Sequence, residues 1–114
     1  MQYHYDSGVY YVEESNGYKV VPAPVGALVS SLPDGYVRLA VSGTTYYYYG
    51  GAFYISSSGK YKVVTAPAGA VVTHLPEGTE EVTLNGQKYV TYNGTYYEPI
   101  SQDGKDAYIV VETK

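Results

Sequence analysis

A chain of 114 residues with a formal net charge of −4 suits one domain or two very small modules fused through a shared face. Its seven Lys and Arg are scattered and form no basic stripe, which argues against general nucleic-acid binding and against anionic membrane surfaces. The absence of cysteine removes disulfides, thiolate zinc sites and cysteine nucleophiles together.

No apolar run reaches the roughly 20 residues of a membrane span. There is no signal peptide, and Met1-Gln2 followed at once by a partial repeat reads as a start placed inside a longer precursor. With 17 Tyr, 13 Gly, one Phe and no Trp, the chain is rich in residues that fit pleated surfaces and tight turns.

In chain order, the first elements are strand-like runs at Tyr3 to Asp6, Val9 to Glu13 and Gly17 to Val21. A connector, Pro22-Ala23-Pro24 leading into GALVSSLPDG, ends the third run, because proline blocks ladder hydrogen bonds. Four more runs follow: Tyr36 to Ser42, Thr45 to Tyr49, Ala52 to Ser56 and Lys60 to Thr65. A second connector, Ala66-Pro67 leading into GAVVTHLPEG, precedes Thr79 to Asn85, Lys88 to Tyr92, Thr95 to Pro99 and Ala107 to Glu112. The order betrays a period of 43: Tyr3 to Thr45 lies over Tyr46 to Lys88 without a gap, and 18 of the 43 pairs are identical. A third copy starts at Tyr89.

Gly-containing pairs, among them Ser7-Gly8, Asn85-Gly86 and Asn93-Gly94, separate neighbouring runs and predict two-residue hairpins in antiparallel meanders. The connection that ends in SQDGKDA carries four extra residues and predicts a longer hairpin tip. The connectors predict at most a short strand each. Alternation places Val37, Leu39 and Val41 inward, with Val82 and Leu84 repeating that side. No apolar stripe at helical spacing occurs, so no long helix is expected.

The expected fold is all-β: antiparallel meanders forming two tandem small SH3-like barrels, with residues 1–22 as an N-terminal hairpin, 23–66 as the first full module and 67–114 as the second. The alternative is a row of four-stranded, propeller-like blades.

Tyrosines that recur in all three copies (Tyr3/Tyr46/Tyr89, Tyr11/Tyr54/Tyr97 and Tyr18/Tyr61/Tyr108) read as scaffold. Those that change between copies leave run Thr45 to Tyr49 as the place to look. Tyr46 and Tyr48 are expected inward. Tyr47 and Tyr49 are expected outward, in an exposed aromatic strip with Tyr92 and with Tyr36 as neighbour, suited to a sugar ring or a partner chain. Cross-strand pairing that stabilises a thin sheet is the structural reading of the same residues.

No catalytic or metal site is read here, and no cofactor. His4 and His74 are not repeated. Glu80-Glu81 point to opposite faces of a strand, and Asp103-Gly104-Lys105-Asp106 reads as a solvated turn better than as a calcium loop. Asn93-Gly94-Thr95 matches a glycosylation sequon, but the hairpin itself calls for Asn-Gly.

The string Y-K-V-V-x-A-P-x-G-A-x-V-x-x-L-P-x-G, followed by G-x-x-Y-Y-Y-Y-G-G-x-F-Y, resembles tyrosine-rich repeats in exported bacterial proteins of unknown function. The resemblance covers nearly the whole chain and implies a location in the cell envelope, behind a signal or lipoprotein sequence. It brings no catalytic residues. The expected function is a non-enzymatic envelope module for binding or assembly, its partner an envelope protein or a glycan, with homo-oligomers possible. The alternative is a carbohydrate- or peptidoglycan-binding accessory domain that uses the tyrosine strip.

Overall fold

A computed structural model describes residues 3–111 and contains thirteen strands. The strands are β1 (Tyr3–Asp6), β2 (Val9–Glu14), β3 (Gly17–Val21), β4 (Leu28–Val29), β5 (Val37–Val41), β6 (Thr44–Tyr49), β7 (Ala52–Ser57), β8 (Lys60–Val64), β9 (Val71–Val72), β10 (Glu80–Leu84), β11 (Gln87–Tyr92), β12 (Thr95–Gln102) and β13 (Lys105–Val111). Glu112, the expected end of the last run, lies outside the described residues. Among the described residues there is no helix, and hence none long and apolar enough to cross a membrane.

All pairings are antiparallel and follow the hairpin chemistry of the sequence. The Asn93-Gly94 turn has both residues at positive φ, 49° and 81°, the signature of the turn whose twist matches its strands. The strands form three sheets, in the orders β1-β2-β3, β4-β8-β7-β6-β5 and β10-β11-β12-β13-β9. In each five-stranded sheet a meander of four gains a two-residue edge strand from the connector. The connector is seated by backbone bonds. Gly26 N–H donates to Val63 C=O at 2.8 Å, and Val63 N–H donates to Ala27 C=O at 2.9 Å. The second connector repeats this with Gly69, Ala70 and Val110.

These sheets do not close. β4 and β5 end the second sheet as separate edges, as β9 and β10 end the third, and the SH3-like closure expected from the sequence is absent. A two-residue strand offers too few ladder bonds to bridge both edges. The edges also explain why Val37 and Leu84, expected inward, are exposed: β5 and β10 are each covered by a neighbour on one side only.

The four extra residues of the last copy do not lengthen a loop either. Asp103-Gly104 is a two-residue turn at φ 54° and 78°, and the extra residues extend the ladder as Ser101↔Asp106 and Gln102↔Lys105. Pro99 is tolerated in β12 because it lies beyond the last β11 pairing, Val90↔Tyr97, so its missing N–H breaks no bond on that side.

The chain divides into two compact units. One holds the residues up to Arg38 together with Thr45–Thr65; the other holds Leu39–Thr44 together with the residues from Ala66 onward. In the first unit the β1–β3 sheet packs on a face of β4 and β6–β8. Its core is Tyr10, Val29, Tyr54 and Val63, with Tyr5, Val21, Leu32 and Tyr47 packed against them. The Tyr10 and Tyr54 hydroxyls meet at 3.1 Å, and Tyr5 Oη donates to the Ser31 carbonyl at 3.3 Å. The second unit buries Ala70, Val72, Tyr97, Ala107 and Val110.

Candidate functional site

Register decides which way the β6 tyrosines face. Tyr47 pairs with Tyr54 and Tyr49 with Ala52, while Tyr48 pairs with Phe53, so Tyr47 and Tyr49 share the Tyr54 face. Tyr48 and Phe53 are buried on the opposite face with ring centroids 4.9 Å apart. The inward placement of Tyr48 agrees with the alternation.

The outward placement of Tyr47 and Tyr49 needs correction. Their face is the one on which β1–β3 packs, and both residues are half-buried. Alternation separates the two faces of a strand but does not say that either faces water, and here both are covered. Tyr47 is flanked by Tyr36 at 5.7 Å and Tyr61 at 5.2 Å, both edge-on, with the Arg38 guanidinium 5.7 Å from its ring centroid. Tyr49 lies against Gly8. A side chain there would overlap Tyr49 Cδ2 at 2.7 Å and crowd Pro33 Cγ at 3.0 Å, and Gly8 sits at φ 90°.

Of the four candidates, then, Tyr36 and Tyr47 join one aromatic cluster, and Tyr36 is the more accessible at 38% exposure. Tyr49 is on the same face as Tyr47 but is engaged by Gly8. Tyr92 belongs to the second unit, at the end of β11 opposite Thr95, where burial raises its hydroxyl pKa.

The side chains with acid–base or ligand chemistry stay dispersed. Glu80 and Glu81 oppose Thr91 and Val90 on different faces, and Glu81 makes an exposed ion pair with Lys88 at 3.9 Å. Asp103 is in its turn and Asp106 is paired with Ser101. Among the described residues no three His, Asp or Glu group as metal ligands. His74 is exposed in the second connector.

Sequence reasoning missed the outer face of β1–β3. Pairing brings His4, Tyr11 and Val20 to one side, where the His4 and Tyr18 rings stand 5.3 Å apart and Tyr11 and Tyr18 are 6.5 Å apart. Tyr18 is 64% exposed and Val20 63%. Their counterparts one period later, Tyr61 and Val63, are half-buried and buried. Recurrence in every copy marks Tyr18 as scaffold, yet in β3 its ring is exposed.

Residues 1–114 match a family described as "Family of unknown function (DUF6515)". No curated protein and no solved structure matches the chain.

Proposed function

The chain thus belongs to the DUF6515 family of unknown function, and we propose that it is a non-enzymatic assembly module of the bacterial cell envelope. The observation that carries this reading is the outer face of β1–β3, where Tyr18 and Val20 stand about two-thirds exposed beside Tyr11 and His4. Contiguous apolar and aromatic surface of this kind marks interaction sites, since leaving it in water is unfavourable and covering it is the main driving force for association. The envelope location rests on the resemblance to exported tyrosine-rich repeats, and a cysteine-free chain is compatible with it. The dispersed acids support a binding role over catalysis.

Sedimentation velocity tests the reading. The protein forms larger species as its concentration rises, and Val20→Lys suppresses them. A strict monomer at every concentration, or association that ignores Val20→Lys, overturns it.

A second reading, a carbohydrate- or peptidoglycan-binding accessory domain, is favoured by the accessible Tyr36 ring beside Tyr47. It predicts glycan-array signals that Tyr36→Ala and Tyr47→Ala abolish; signals unchanged in both variants reject it. Arg38 and Tyr61 already occupy the surroundings of Tyr47, so Tyr36 would carry most of the stacking.

A further inference from the structure

The surface that receives β1–β3 in the first unit occurs twice in the chain. On the inner copy, Tyr54 and Val63 are Cα partners, 0% and 2% exposed, and Tyr10 from β2 covers them with its hydroxyl on that of Tyr54. One period earlier stand Tyr11 and Val20, also Cα partners, on the outer face of β1–β3. Tyr18 stands where Tyr61 does. The same receiving face is therefore built by β1–β3, where Tyr18 is 64% and Val20 63% exposed.

The covering surface recurs as well. Tyr10 pairs with Val21 in β3, and two periods on Tyr96 pairs with Val111 in β13. Tyr97 and Val110 are buried on the opposite face of that sheet, 1% and 4% exposed. Tyr96 is half-buried on its own face, where Ile109 also lies and the Tyr89 ring is 6.1 Å away. Tyr96 thus holds the position in the last sheet from which Tyr10 covers its neighbour.

Resting on the assembly reading, we propose that the partner is a second copy of this chain, docked head to tail. The Tyr96 face of one copy covers the Tyr11, Tyr18 and Val20 face of the next, and Tyr96 takes at Tyr11 the place that Tyr10 takes at Tyr54. The contact repeats between chains the sheet-on-sheet packing already made within the first unit. It joins two different surfaces, so it is heterologous, and copies add in a ring or an open row.

Complementary variants test this. Val20→Lys blocks the receiving face and Tyr96→Lys the covering face. Each alone should weaken association at least about tenfold, because each leaves a charge in an apolar contact. Mixed in equal amounts, the two should form a dimer, since each supplies the face that the other lacks. If Tyr96→Lys alone associates as the parent does, the head-to-tail contact is wrong while the assembly reading stands. If the parent is monomeric throughout, both fall. Far-ultraviolet circular dichroism checks that each variant is folded.

A cysteine-free chain allows a second measurement that does not depend on Tyr96→Lys folding. Tyr11→Cys mixed with Tyr96→Cys should give a mixed disulfide under mild oxidation. Disulfides formed predominantly between two Tyr11→Cys chains overturn the proposal in favour of a symmetric contact.

Discussion

Tyr10 and Tyr54 carry the packing of the first unit, and their hydroxyls are each other's hydrogen-bond partner in a buried place. Replacing either by Phe strands the other, at a cost of about 1–3 kcal/mol, whereas replacing both removes the unmet group and costs less than the sum. A double-mutant cycle in urea checks this, and additive single effects would refute the pairing. The chain supplies a precedent, since Phe53 stands one period after Tyr10 and is 1% exposed. Gly8 is the second point of tight fit. At φ 90° and against the Tyr49 ring, Gly8→Ala combines backbone strain with overpacking and should cost about 1–3 kcal/mol. An unchanged urea midpoint would show that Tyr49 can move aside. The sequence placed glycine in that turn for its conformation, but not for the close approach, which depends on a ring 41 residues away.

Hairpins were the most legible elements. Asn-Gly and Ser-Gly pairs announce the turns, and β-branched and aromatic runs announce the strands. Added residues ordinarily accumulate at hairpin tips, and SQDGKDA predicts a longer tip on that ground; instead the extra residues come as two pairs that extend the ladder. Antiparallel ladders alternate hydrogen-bonded and non-hydrogen-bonded pairs, so two pairs can be added or removed with the turn geometry and side-chain faces kept. Deleting Ser101, Gln102, Lys105 and Asp106 should leave a folded protein, with Asp103-Gly104 closing on Ile100 and Ala107. Deleting Gln102 and Lys105 alone puts the turn on the wrong kind of pair and should destabilise it more. Thermal melts of the two deletions decide, and equal melting temperatures would reject the parity argument.

The whole molecule is fastened by buried phenols, and their titration gives a sign to its pH dependence. Burial, the largest cause in each case, raises the pKa of Tyr5, Tyr10, Tyr54, Tyr92 and Tyr97, the last from 10.0 to about 12. A phenol with a raised folded pKa binds its proton more tightly folded than unfolded. Its contribution is complete below pH 10 and is lost as pH rises through the folded value. The melting temperature should therefore fall between about pH 10 and 12, with tyrosinate absorbance developing late in the folded protein. Full ionisation of all tyrosines near pH 10 without unfolding would contradict this.

By itself the sequence determined the strands, their antiparallel hairpins and the period that makes successive copies comparable. Those properties are local: a Gly pair sets a turn, and alternation divides a strand into two faces. The tertiary structure decided which faces are covered. It left the sheets open, put Tyr47 and Tyr49 in a packed layer, and left Tyr18 and Val20 exposed although Tyr61 and Val63 occupy the same places in the repeat. The reason is that burial is a property of the neighbour. Identical residues are core where another sheet lies over them and surface where none does.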